Sequence, residues 1–246
     1  MKGKEWLRYI VQRAWTWAKR HKIQSTILIL GLWIFIEIIT LPFANIRSLK
    51  KQNPSETAFM VAQREQVESE KKPFIKRQHW VSYNRIPKDV INAVIVAEDG
   101  TFWEHSGFDW FEFRASIDRN LKEGRVARGA STISQQLAKN LYLSASKNPM
   151  RKLKEWLLTW YLEQTLTKTR ILELYLNLIE WGPGVYGIDA AAQYHFGKSC
   201  SSLSRSEAIR LAVIIPNPRR FQAAGESRYL ERMSQIIQER LEARGW

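Results

Sequence analysis

The sequence predicts a mainly α-helical domain carried behind a single membrane-crossing helix. Three observations carry that expectation: one long apolar run near the amino end, apolar residues at helical spacing beyond it, and capping residues where those stretches begin. At 246 residues with 45% apolar and 12% aromatic content, the chain can hold one sizeable domain with a proper core. A formal charge of +14 and eleven tryptophans suggest an anionic partner and an interfacial habit. Nucleic acid, anionic lipid and a diphosphate-bearing substrate are the candidates. The single Cys200 excludes an internal disulfide and any multi-cysteine metal site, and four scattered histidines give no cluster for a metal.

The amino end sets the address. Residues 1–22 form a basic segment with Lys2, Lys4, Arg8, Arg13, Lys19, Arg20 and Lys22 against Glu5, interleaved with Trp6, Trp15 and Trp17. Residues 23–41 contain no Lys or Arg and end at Pro42. As a helix they reach about 28 Å, against a hydrocarbon core of about 30 Å. No small-x-small cleavage pattern follows, so a retained anchor is expected in place of a removed signal. The positive flank places the N-terminus in the cytoplasm and everything after Pro42 outside it, which removes nucleic acid from the candidates. Glu37, near the outer end of the span, can reach the interface. After Pro42 the chain still carries 31 basic against 22 acidic residues, a balance suited to an acidic substrate or a membrane face.

Residues 42–79 are polar and weakly periodic, broken at Pro54 and Pro73, and read as a stalk with one short helix near Thr57 to Glu70. Trp80 to Tyr83 reads as an extended entry to a domain over residues 80–246. Val90, Ile91, Val94 and Ile95 then make the apolar face of a helix that ends at Glu98. Burial and the helix dipole both disfavour a charge on Glu98, the direction a general base needs; a solvated carboxylate beside a turn is the plain alternative. Asp109, with Glu112 three residues on, suits the N-cap of a helix running to Glu123, before Gly124, Arg125 and Arg128.

The stretch from Gly129 to Asn140 is a glycine turn running into a helix. With Ser131 as N-cap, Ser131 and Gln135, Thr132 and Gln136, Gln135 and Lys139, and Gln136 and Asn140 fall at i,i+4, while Ile133, Leu137 and Leu141 take another face. Free amides, hydroxyls and a lysine at a helix start suit a phosphate or pyrophosphate; a capped surface helix is the alternative. Pro149 opens a helix to about Thr167, in which Arg151 and Glu155 lie at i,i+4. Leu203 to Ala208 starts a capped helix reaching Ile215, and His195 reads as packing, not as a ligand.

Five of these strings together resemble the signature motifs of the peptidoglycan glycosyltransferases, the transglycosylase domains of penicillin-binding proteins and their monofunctional relatives. Glu98 to Asp109 matches Glu-Asp-x-x-Phe-x-x-His-x-Gly-x-Asp, fixing Glu98, Asp99, Phe102, His105, Gly107 and Asp109. Gly129 to Asn140 matches the second motif and Arg151-Lys152-x-x-Glu155 the third. Thr169 to Ile188 resembles the fourth and Leu203 to Pro218 the fifth. The resemblance spans about Trp80 to Pro218 and implies a lysozyme-like, two-lobed glycosyltransferase domain. It implies that Glu98 is the catalytic base and Glu155 the second acid of the site. It further implies that Ser131, Thr132, Gln135, Gln136, Lys139, Asn140, Arg151 and Lys152 bind the sugar diphosphate. Asp99, Phe102, His105, Gly107 and Asp109 would organise the loop.

The activity implied is inverting polymerisation of lipid II into β-1,4-linked glycan strands with release of undecaprenyl diphosphate, at the outer face of the inner membrane. The metal requirement stays open: the resemblance leaves Glu155 to organise a divalent Mg or Mn ion, to organise the basic residues around the departing diphosphate, or to assist protonation. Partners would be lipid II, the growing glycan and the membrane, with cell-wall synthesis or divisome proteins as further candidates. Ser-x-x-Lys strings at Ser48, Ser69 and Ser144 have no Lys-Thr-Gly or Lys-Ser-Gly after them, so no transpeptidase domain is expected. A lytic muramidase and a non-catalytic scaffold are the competing readings. A muramidase has no need for the diphosphate-facing cations or the membrane tether, and a scaffold does not account for both glutamates in their motifs.

Overall fold

The computed structural model describes residues 2–123, 131–143 and 150–246. Gly124, Arg125, Arg128, Gly129 and Pro149 of the reading above lie outside them. The chain divides into two compact units, Met1–Leu41 and Pro42–Trp246.

The first unit is two helices, α1 (Lys2–Arg20) and α2 (Lys22–Ile39). They break at His21, whose backbone leaves the helical region, and Ser25 Oγ bridges the joint by donating to the carbonyls of His21 (2.9 Å) and Ala18 (3.3 Å). The stretch Lys22–Ser48 is long and apolar enough to cross a membrane, with a mean hydropathy of 2.4. Its Ile27, Leu28, Ile29 and Leu32 are all more than half exposed, an arrangement that water disfavours and lipid tolerates.

Residues 42–79, expected as a stalk, belong to the second unit. The helices α3 (Phe43–Ser48) and α4 (Ala58–Ser69) are packed elements: Ile46, Leu49 and Met60 are buried. Arg170 fastens the connection between them, donating to the carbonyls of Leu49 (2.8 Å) and Gln52 (3.0 Å) and to Asn53 Oδ1 (2.7 Å). The short helix expected near Thr57 is present, with the Thr57 hydroxyl accepting from the Met60 amide as its cap.

The core forms around two groups of helices. Helix α5 (Lys88–Glu98) buries Val90, Val94 and Ile95 completely and packs against α11 (Arg205–Ile214) and α12 (Arg228–Ala243). Helix α7 (Ile133–Tyr142) packs against α4, α8 (Arg151–Thr165) and α9 (Lys168–Leu178). The remaining helices are α6 (Trp110–Glu123) and α10 (Ile188–Phe196). Helix α11 starts at the predicted cap, Ser204, which exchanges hydrogen bonds with Glu207 in a capping box.

A small sheet closes one side. Strand β3 (Val185–Tyr186) pairs parallel with β1 (Arg77–Gln78) and antiparallel with β2 (Glu180–Gly182). The extended entry therefore lies three residues before Trp80, and Tyr83–Arg85 is a 3-10 turn. Gly184 has φ +70°, and a Cβ there would stand 2.3 Å from the Ile75 carbonyl oxygen, so only glycine fits. Fully buried Asn177 acts as an extra peptide unit for the adjoining chain, accepting from the Val81 amide and donating to its carbonyl, both at 2.8 Å. His195 is a packing residue: its Nε2 donates to the Trp181 carbonyl (2.8 Å) and its Nδ1 accepts from the Ala223 amide (3.2 Å). Burial holds its pKa below the ordinary histidine value.

Candidate active site

The site begins where α5 ends. Asp99 turns the chain out of the helix, leaving Glu98 half-buried at its last position. The Gln136 side chain on α7 reaches across and its Nε2 donates to Glu98 Oε2 at 2.8 Å. Behind it, the phenol of Tyr175 on α9 donates to Gln136 Oε1 at 2.9 Å. Burial first, then the charges of Glu98 and Asp99, push the Tyr175 phenol well above its ordinary pKa, so it stays a donor.

Asp99 is committed to structure. Its carboxylate is buried and accepts from His105 Nε2 (2.9 Å) and from the backbone amide of Ile133 (2.9 Å). That amide is one of the unpaired donors at the start of α7, so Asp99 ties the end of one helix to the beginning of the other. The Gly107 amide donates to His105 Nδ1 at 3.1 Å, which leaves Nε2 as the protonated nitrogen facing Asp99. Asp109 caps α6 as the sequence suggested, accepting from the Glu112 amide at 2.7 Å and from the Thr101 hydroxyl. Burial raises its pKa, but those hydrogen bonds and nearby His105 outweigh it and the net shift is downward. Phe102 is fully buried, with the Lys168 ammonium 4.4 Å above its ring centre.

Helix α7 corrects one expectation. Its N-cap is Thr132, not Ser131: Thr132 Oγ1 accepts from the Gln135 amide (3.2 Å), and Gln135 Oε1 accepts from the Thr132 amide (3.0 Å). Serine and threonine both cap, but only Thr132 has a glutamine three residues on, so the signal for the right register was in the sequence. Thr132 also donates to the Gly107 carbonyl at 2.7 Å. Thr132, Ser134 and Gln135 are therefore buried in supporting bonds, Ser134 through Glu163, which Lys168 also binds at 2.8 Å. Ser131 and Lys139 are exposed, and half-buried Asn140 donates to the Gln136 carbonyl at 2.9 Å. The polar residues thus divide between an inner set that builds the site and an outer set that can meet a ligand. Ile133, Leu137 and Leu141 form the buried face, as read.

The second acid, Glu155, is buried on α8 and pairs with Lys152 at 2.5 Å, at i,i+3. The i,i+4 neighbour Arg151 is exposed. Gly107 holds the first loop against α8: its φ is +96°, and a Cβ would lie 3.0 Å from both Glu163 Cγ and Thr159 Cγ2. Around it Phe108, Trp110 and Trp156 pack ring on ring, with Trp110 56% and Phe111 81% exposed. Among the described residues no three His, Cys, Asp or Glu side chains are grouped to hold a metal ion. Tyr175 escaped the sequence reading because it sits in an apolar helical run that reads as core.

A family model described as Transglycosylase matches residues 65–242. A biosynthetic peptidoglycan transglycosylase of Methylobacillus flagellatus is 44% identical over 209 residues, covering 85% of this chain and 88% of that one. The protein of the same name from Chromobacterium violaceum is 42% identical over 217 residues, 88% of this chain and 92% of the relative. That from Nitrosospira multiformis is 40% identical over 225 residues, 92% and 94% of the two chains. With five motifs in order on a helical, lysozyme-like fold, and the match extending over most of its length, the chain belongs to the transglycosylase family of glycosyltransferases.

Proposed function

We propose that this chain is a peptidoglycan transglycosylase that polymerises lipid II into β-1,4-linked glycan strands in cell-wall biosynthesis. The observation that carries the mechanism is the carboxylate of Glu98, held by a neutral amide at the point where α5 meets the start of α7. In this reading Glu98 takes the proton from the 4-hydroxyl of the acceptor sugar as that oxygen attacks the anomeric carbon of the donor. The bond to the undecaprenyl diphosphate breaks on the opposite face, and one displacement inverts the centre, as in inverting glycoside hydrolysis. Negative charge grows on the departing diphosphate, and Lys139, Arg151 and Lys152 are the exposed cations assigned to it. Glu155 holds Lys152 in place for that task. Ser131 and Asn140 contact the substrate, while Thr132 and Gln135 act by shaping the helix start.

The same reading places residues 23–41 across the inner membrane, residues 1–22 in the cytoplasm and the catalytic domain outside. It is supported by the exposed apolar surface of α2 and the basic flank before it. The exposed aromatic residues of α6 and α8 suit a lipid-linked substrate drawn from the bilayer.

The test is incubation of the full chain in detergent with fluorescent lipid II, with products separated on a gel before and after muramidase. A muramidase-sensitive ladder is expected, reduced about 10²–10⁴-fold in Glu98→Gln while folding is retained. Release of fragments from finished wall without a ladder would show a lytic enzyme instead.

A further inference from the structure

The geometry points to Tyr175 as a positioning residue for the base: its phenol fixes the Gln136 amide with the NH2 group toward Glu98, keeping that carboxylate ready to accept a proton. This rests on the proposed role of Glu98. A side-chain amide can present either its oxygen or its NH2 group by turning through half a circle. Against an ionised carboxylate the NH2 group attracts and the oxygen repels. The amide therefore has a choice, and the group at its far end decides it.

That group is the Tyr175 hydroxyl, fully buried on α9. Among the described residues Gln136 is its one hydrogen-bond partner. Turning the amide would set NH2 against the phenol and leave a buried O–H with no acceptor. The turned amide would also suit a protonated Glu98, able to donate to the amide oxygen, and so would favour the wrong form of the base. Tyr175 to Gln136 (2.9 Å) and Gln136 to Glu98 (2.8 Å) thus form a directed chain whose order is set from the core outward. The chain also occupies both polar ends of Gln136, which turns that residue from a ligand contact into part of the base.

Tyr175→Phe removes the hydroxyl and keeps the ring. In lipid II polymerisation by the full chain, kcat is expected to fall about tenfold with KM within about twofold of the parent. The acid limb of the kcat against pH profile should move to higher pH, because a carboxylate that loses an ordered donor is less stabilised in its charged form. Gln136→Ala should move that limb the same way, and adding Tyr175→Phe to it should change nothing further, since Tyr175 acts only through Gln136. An unmoved acid limb in Tyr175→Phe, or a further tenfold loss on top of Gln136→Ala, would overturn the inference. Should Tyr175→Phe fail to fold by circular dichroism, the Gln136→Ala profile decides alone, and an unmoved limb there sinks it. Glu98→Gln keeps the two levels apart. If that variant polymerises normally, the assignment of the base is wrong; if it is inactive while Tyr175→Phe behaves like the parent, only the role of Tyr175 falls.

Discussion

The two glutamates of the site occupy opposite settings. Glu98 ends a helix, where the dipole opposes a negative charge, and meets a neutral amide. Glu155 lies in the second turn of a helix, is more deeply buried and already faces an ammonium group. A proton arriving at Glu155 would displace the Lys152 ammonium, whereas one arriving at Glu98 would face the Gln136 amide. In the mechanism proposed above, the difference separates a residue that handles a proton from one that holds a cation in place. Both are glutamates in short motifs, and only their surroundings divide the labour.

The largest effect expected beyond Glu98→Gln is at Glu155. Glu155→Gln should lower kcat by about 10²-fold through a misplaced Lys152 while retaining the acid limb of the pH profile. Loss of that limb in Glu155→Gln would reverse the two roles. Gly107→Ala probes the contact between the two settings, because the added methyl would press the Glu98 loop away from Thr159 and Glu163 on α8. It is expected to destabilise the fold by about 3 kcal/mol in thermal unfolding, combining a left-handed backbone with overpacking. An unchanged melting temperature would mean that loop and helix are not wedged together.

The smallest effect supplies the baseline for all pH work. His195 belongs to neither acid's hydrogen-bond set, and its pKa is lower folded than unfolded. The unfolded chain binds the proton first, so this contribution to stability is complete above about pH 6.5 and is lost as pH falls toward the folded value. Melting temperatures should decline on acidification through that window, and His195→Gln should flatten the decline. A slope identical in His195→Gln would assign the acid sensitivity to other groups.

What could be read from the sequence followed from locality. The apolar face of α5, the Ser204 capping box of α11 and the Asp109 cap all depend on residues within one or two turns, and each lies where the spacing puts it. The second unit's first residues were opaque for the opposite reason. Arg170 binds backbone carbonyls more than a hundred positions earlier, and a carbonyl carries no side-chain signature. Within the site, the motif residues were legible as types, yet their division into inner and outer sets was not. Gln135 and Gln136 are adjacent and identical in chemistry; one folds back on its own helix start and the other crosses to Glu98. The partner of Glu155 shows the same limit, since Arg151 and Lys152 both lie within helical reach and burial geometry chose Lys152.

The aromatic cluster beside α8 has a consequence for anyone who cuts the chain before Pro42. Phe111 and Trp110 are turned outward in a unit that has its own complete core. Trimming away the first 41 residues would remove the most oily helix and leave these aromatic side chains on the surface. Such a fragment would still collect at boundaries between water and oil, and its working concentration in plain buffer would be set by that wetting behaviour before the strength of its fold became limiting.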